Sequence, residues 1–242
     1  MLELYNSPIS TCSQKVRLVL AEKRLNWKDH RLQFAQDEHL SPAYLRLNPN
    51  GVVPTLVHRG AVVVDSSVIN EYLDDVFEEH PLRPADKVAL AHMRAWRQYI
   101  DEVPTPSVRY PSYNAYFVPW FAEMSQDEFQ AYAERRPLRR DFYLKLGRTG
   151  FSAQEIDAAI NRLGDAMKRM ESALERTRWL AGDSISLADF SILPIIVRME
   201  DLGLDHLWAG RAAVCSWYER MQARPSFMTA YYEGSRALGP AC

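Results

Sequence analysis

Twelve residues near the start of the chain, Asn6 to Arg17 (NSPISTCSQKVR), place two serines and a cysteine within four positions: Ser10, Cys12 and Ser13. Leu2, Leu4 and Tyr5 precede them as an apolar run, and Val16, Leu18, Val19, Leu20 and Leu25 resume it afterwards. Pro8 stiffens the approach, and the small polar residues can cap a helix that starts here. Such a helix N-terminus exposes unbonded N–H groups and a partial positive charge, which is the environment that stabilises a thiolate. The stretch reads as a thiol-activating loop with Ser10, Cys12 and Ser13 as candidate catalytic residues. The competing readings are plain helix capping for the serines and an inert thiol for Cys12.

The elements that must hold this loop follow from hydrophobic spacing and turn residues. Leu2 to Tyr5 reads as a strand, Ser10 to Lys23 as a helix and Asn26 to Leu32 as a second strand. The turn-rich segment DEHLSPAYLRLNPNG contains a short helix from Pro42 to Leu47. Pro54 to His58 and Ala61 to Val64, joined by Arg59-Gly60, predict an antiparallel hairpin. Asp65 and Ser66 then cap a helix whose Val68, Ile69, Tyr72, Leu73, Val76 and Phe77 recur at helical spacing.

The proline-containing block HPLRPADK, residues 80–87, reads as a linker, dividing the chain into units 1–79 and 88–242. Beyond it only helices are predicted: Val88 to Glu102, Ser125 to Arg135 with a Ser125/Glu128 capping box, and a long amphipathic helix between Ser152 and Leu180. Another starts at Ser186 with Asp189 as its box partner, and Val214 to Arg224 is ended by Pro225. Residues 103–120 carry Pro104, Pro106, Pro111 and Pro119 among Tyr110, Tyr113, Tyr116, Phe117 and Trp120. They are expected to be too proline-broken for a long helix and to wall a pocket, with an ordinary aromatic core as the alternative. Arg135-Arg136 and Arg139-Arg140 read as a solvated face.

Composition narrows the function classes. With 29 basic and 31 acidic side chains the formal net charge is -2, which argues against a nucleic-acid partner. A chain 47% hydrophobic and 25% charged is neither disordered nor membrane-embedded. The apolar run Ile192 to Val197 falls far short of the ~18 to 20 residues of a membrane span. The first residues, MLELYN, lack a signal-peptide pattern, so the expected location is cytoplasmic. Cys12, Cys215 and Cys242 lie far apart, giving neither a zinc spacing nor a disulfide framework, and no metal is expected.

In this order and spacing the segments resemble the glutathione S-transferase superfamily over almost the whole chain. The first half matches its thioredoxin-like domain and the second its all-helical domain. The Ser186-Leu-Ala-Asp189 box after Trp179-Leu-Ala-Gly-Asp183 is a shared family feature. Asn48 to Leu56 (NPNGVVPTL) is similar to the segment leading into the family's cis-proline. The resemblance implies an α/β N-terminal thioredoxin-like domain, an all-α C-terminal domain that forms the electrophile pocket, glutathione as co-substrate, and a homodimer.

The resemblance also carries roles onto single positions. Ser10 falls where serine-type classes hydrogen-bond the glutathione sulfur. Cys12 falls where some bacterial members carry a cysteine, and Ser10-Thr-Cys12-Ser13 resembles reductive dehalogenating and isomerising members. His39 would meet the glycine carboxylate, Val53 would offer its backbone to the cysteinyl unit ahead of a cis Pro54, and Asp65 with Ser66 would hold the γ-glutamyl end. Val52 departs from the Lys or Gln that many members use there. Met124 to Phe129, Pro137, Arg148 to Ser152, Tyr72 to Phe77 and Leu82 to Asp86 are similar to bacterial β-etherase-type transferases, which cleave lignin-derived aryl ethers, and to their fungal relatives. The first loop is less like theirs.

The energetics are within reach of one hydroxyl. A thiol of pKa about 8.5 is only ~3% ionised at pH 7, and lowering it by two pH units requires about 2.7 kcal/mol. A charge-assisted hydrogen bond supplies roughly 1.5 to 3 kcal/mol and a helix N-terminus roughly 0.3 to 1. The implied function is thiolate attack on a hydrophobic aromatic electrophile, in detoxification or aromatic degradation, with β-aryl ether cleavage as one such reaction. Two alternatives stand beside it: a Cys12-dependent thiol–disulfide oxidoreductase or reductive dehalogenase, and a non-catalytic ligand-binding relative.

Overall fold

The computed structural model describes residues 1–237, so Cys242 lies outside the described residues. Leu2–Asn6 (β1) pairs in parallel with Trp27–Arg31 (β2) and antiparallel with Thr55–His58 (β3), which folds back on Ala61–Val64 (β4). The sheet order is β2-β1-β3-β4. Along β1, buried Leu2 and Leu4 alternate with half-buried Glu3 and Tyr5, the period of two that a strand imposes. A parallel β1–β2 pair needs a crossover helix, and Thr11–Glu22 (α1) supplies it. Pro42–Leu47 (α2), capped by the Ser41 hydroxyl, and Ser66–Val76 (α3), capped by Asp65, complete this half.

The second half is helical: Lys87–Glu102 (α4), Pro104–Tyr116 (α5), Val118–Ala122 (α6), Gln126–Glu134 (α7), Arg140–Leu146 (α8), Ala153–Leu174 (α9), Leu187–Asp201 (α10), Ala212–Gln222 (α11) and Pro225–Ala230 (α12). Every residue of α10 from Leu187 to Met199 is buried, as a helix at the centre of a bundle must be. Helix α1 packs against α10 and α12, so one apolar core runs from the sheet into the bundle. A second, aromatic core of Phe121, Phe129, Tyr132, Tyr143 and Phe151 sits beneath α5 to α8. The 80–87 segment is pinned: the Leu82 N–H and Arg83 Nε both donate to Asp74, at 2.8 and 2.9 Å. No helix among the described residues is long and apolar enough to cross a membrane.

The boxes at Ser125/Glu128 and Ser186/Asp189 form as expected, and a third joins Ser152 to Glu155. Residues 103–120 are not proline-broken: they form α5 and α6. Pro104 and Pro106 fall in the first turn of α5, where N–H groups have no intrahelical partner, so neither ring removes a bond. Pro111 alone sits inside the helix. Helix α11 stops at Gln222, just before Pro225 as expected, with Arg224 extended, and Pro225 then opens α12 as its first residue. Helix α9 stops at Leu174 rather than Leu180, and α8 forms where no helix is expected.

Candidate active site at the N-terminus of the first helix

Two buried arginines hold the loop between β1 and α1 by its carbonyls. Arg17, 1% exposed, donates through Nη1 to Asn6 Oδ1 (2.7 Å) and the Ser7 carbonyl (3.2 Å), through Nη2 to the Pro8 carbonyl (2.8 Å), and through Nε to the Ala230 carbonyl (3.2 Å). Arg198 on α10 donates through Nη2 to the next carbonyl, Ile9, at 2.5 Å. Ser13, fully buried, accepts from the Ser7 N–H at 3.2 Å. Ser10 caps α1, its hydroxyl oxygen accepting from the Ser13 N–H at 3.3 Å, which leaves the hydroxyl proton available to a ligand. The Thr11 and Cys12 N–H groups, in the first turn of α1, have no acceptor among the described residues.

That helix end lines an open cleft between the two halves of the chain. Ser10, Thr11 and Cys12 face His39 and the Asn50 to Val53 segment on one side, and Val108, Tyr113, Phe117 and Tyr143 on the other. The Val53–Pro54 peptide is cis, and neither the N–H nor the carbonyl of Val53 has a partner among the described residues. Asn48 fixes the approach by donating to the Val52 carbonyl (2.9 Å) and Thr55 Oγ1 (3.0 Å). Gly51 takes φ +60, and a Cβ there would lie 2.9 Å from Leu40 Cδ2, so both conformation and space call for glycine.

Of the expected site residues, Ser10, Cys12, His39 and Val53 line this cleft together. Ser13, Pro54, Asp65 and Ser66 do not. Ser13 is engaged in holding the loop, and Pro54 is buried behind Val53. Asp65, at φ +71, accepts from the Ser67 and Val68 N–H groups at the start of α3. His39 is buried, and its Nδ1 has no partner among the described residues. Burial and then the Arg136 charge lower its pKa from 6.5 to about 4, so it is neutral at pH 7 and can serve as an uncharged donor.

Family models for the glutathione S-transferase N-terminal domain and the glutathione S-transferase C-terminal domain match residues 9–76 and 124–225. The protein LigF of Sphingobium sp. strain SYK-6 is 31% identical over 97% of this chain and 95% of its own. The chain belongs to the glutathione S-transferase family. This transferase superposes on the crystal structure of the β-etherase LigF with a TM-score of 0.85, covering 95% of this chain and 98% of that one. It is also similar to the tetrachloro-p-hydroquinone reductive dehalogenase of Sphingobium chlorophenolicum, at 30% identity over 95% of each chain.

The transferase cleft contains residues that the sequence reading placed elsewhere. Arg136 is not on a solvated face: its side chain is 3% exposed, bonded to Asp37 at 2.5 Å and stacked 3.1 Å over the Tyr132 ring. Arg139 also turns into the cleft, while Arg135 and Arg140 do face solvent. The four arginines lie across the break between α7 and α8, so helical periodicity does not apply to them. Arg17 closes the Asn6 to Arg17 stretch without a role read from the sequence; an arginine within an otherwise apolar helix face is the signal that marks it. Of the aromatic wall, Tyr113 and Phe117 line the cleft, whereas Tyr116 donates to the Ala237 carbonyl at 2.5 Å and Trp120 is 42% exposed.

Proposed function

We propose that Ser10 activates glutathione by donating its hydroxyl proton to the thiolate, and that the thiolate then attacks a hydrophobic aromatic electrophile held by Tyr113, Phe117 and Tyr143. The observation that carries this reading is the meeting, in one cleft, of a spare serine hydroxyl, two unbonded helix N–H groups and an aromatic wall. No general base is required, because the serine donates to the anion rather than removing its proton. In this reading residues 1–79 bind the tripeptide and residues 88–242 shape the electrophile pocket. His39, as a neutral donor backed by the charge of Arg136, meets the glycine carboxylate. Val53 offers its unbonded backbone to the cysteinyl unit, cis Pro54 holds that strand turn, and Asp65 with Ser66 takes the γ-glutamyl end. The likeness to LigF supports cleavage of a β-aryl ether, in which the thiolate forms a C–S bond at the ether-bearing carbon and the aryloxide leaves with the bond pair. The family's habits support a cytoplasmic homodimer.

Replacement Ser10→Ala is expected to raise the pKa of bound glutathione by about one to two and to lower turnover at pH 7 by roughly ten- to a hundredfold. Unchanged thiol pKa and turnover would remove Ser10 from the mechanism.

Cys12 favours a second reading, because it lines the same cleft and is half-buried rather than packed away. Here the Cys12 thiolate attacks oxidised glutathione, forming a Cys12–glutathione disulfide and releasing one glutathione thiolate. Mass spectrometry after exposure to oxidised glutathione discriminates the two: an adduct on Cys12 together with inactivity of Cys12→Ser selects this route.

A further inference from the structure

The cleft carries more positive charge than the tripeptide accounts for. Arg109, Arg136, Arg139 and Arg198 line it, and no aspartate or glutamate among the described residues does, in a chain whose formal net charge is -2. Two of the four are committed. Arg136 is bonded to Asp37, and Arg198 donates to the Ile9 carbonyl with its Nε 3.8 Å from Asp201. Arg109 and Arg139 make no ion pair or side-chain hydrogen bond with any described residue, although each is only partly exposed.

The two free guanidinium groups come from different walls, Arg109 from the middle of α5 and Arg139 from the residue preceding α8. They are near enough to oppose each other: burial first, and then Arg109, hold Arg139 below its ordinary pKa. Cys12, Tyr113 and Tyr143 line the same cleft, so the pair shares it with the thiol and the aromatic wall. Arg136, by contrast, acts on His39, at the end assigned to the glycine carboxylate. Two like charges converging on an apolar chamber are unfavourable until an anion separates them. A carboxylate would relieve the repulsion and accept charge-assisted hydrogen bonds from both forks.

We propose that the aromatic electrophile bears a carboxylate, and that Arg109 and Arg139 together bind it, orienting the ring against Tyr113 and Tyr143 with its reactive carbon toward Ser10 and Cys12. This rests on the transferase reading above.

The test is calorimetric titration of the full chain with two conjugates that differ only in charge: S-(4-carboxy-2-nitrophenyl)glutathione and S-(4-carbamoyl-2-nitrophenyl)glutathione. The carboxylate conjugate is expected to bind at least about tenfold more tightly. Arg109→Gln and Arg139→Gln should each erase most of that preference, and Arg139→Lys should retain part of it. Neither guanidinium leaves a described partner unpaired when removed, so the variants are not expected to unfold. Equal affinities in the unaltered chain would overturn the proposal without any variant. Equal loss of both affinities in the glutamine variants would also overturn it, by placing the pair on the tripeptide's own carboxylates. Turnover of 4-chloro-3-nitrobenzamide, in which the glutathione thiolate bonds to the ring carbon and chloride leaves with the electron pair, checks the transferase reading separately. If that turnover is absent while the carboxylate preference persists and depends on both arginines, catalysis fails as a reading and the anion subsite stands.

Discussion

Replacing Arg17 by methionine puts the physical account of the loop at risk most directly. The side chain is 1% exposed and donates to four acceptors: Asn6 Oδ1 and the carbonyls of Ser7, Pro8 and Ala230. In Arg17→Met the Ser7 carbonyl keeps the Ser10 N–H, at 3.2 Å, but the other three acceptors lose the Arg17 donor. Asn6 Oδ1 and the Ala230 carbonyl are buried, and each buried acceptor left unpaired costs roughly 1 to 3 kcal/mol, a gross loss of about 2 to 6, with a smaller loss at the half-buried Pro8 carbonyl. Against this stands the relief of desolvating a guanidinium whose burial already lowers its pKa, plus the packing of a methionine of similar length. The net expectation is a loss of about 3 to 5 kcal/mol, the range for breaking a buried charged network. Urea unfolding followed by tryptophan fluorescence measures it. The same variant, assayed folded, should weaken glutathione activation, because the carbonyls of Ser7 and Pro8 no longer have a fixed position from which Ser10 is presented. A destabilisation under about 1 kcal/mol with unaltered activity would refute the claim that Arg17 holds the loop.

Two other perturbations follow from the same kind of reasoning. Asp189 is fully buried and accepts from the Leu180 N–H (3.1 Å), the Ser186 N–H (2.9 Å) and hydroxyl (3.1 Å), and Trp217 Nε1 (2.9 Å), so Asp189→Ala removes the acceptor of four buried donors. It should cost over about 3 kcal/mol, against about 1 to 2 for the cap loss in Ser186→Ala, and chemical denaturation of both variants checks the ordering. His39 titrates near 4 when folded and near 6.5 when unfolded, so between those values the unfolded chain holds a proton that the native chain lacks. Its contribution is complete above pH 6.5 and is lost as the pH falls toward 4, amounting to about 3 kcal/mol. Denaturant midpoints from pH 4 to 7 should be flatter in His39→Gln than in the unaltered chain, and superimposable profiles would contradict the buried neutral imidazole.

The features legible in the sequence are those set by a few adjacent residues. The first strand, the Arg59-Gly60 hairpin and the boxes at Ser125 and Ser186 each depend on local stereochemistry, and each forms where expected. The prolines of residues 103–120 are read wrongly because their effect depends on position in a helix rather than on number: Pro104 and Pro106 occupy the first turn of α5, where the missing N–H costs nothing. Tyr113 and Phe117 wall the cleft as expected, but its charged part is out of reach of the sequence. Arg109, Arg136 and Arg139 become cleft residues only when α5 and the α7–α8 turn pack opposite the first loop, and charge in a sequence does not state which way a side chain turns.

The carbonyl grip has a consequence for how the molecule can be divided. Every residue of the first loop precedes residue 80, yet Arg198 reaches it from α10, the Ala230 carbonyl anchors Arg17 from α12, and Gln14 Nε2 donates to the Ser235 carbonyl at 2.8 Å. A fragment cut at the proline-containing connector would keep its strands and its serine while losing the clamps that aim that serine. Fusing the sheet to a foreign helical partner would therefore fail to transplant the chemistry unless an equivalent arginine, carbonyl and glutamine acceptor came with it.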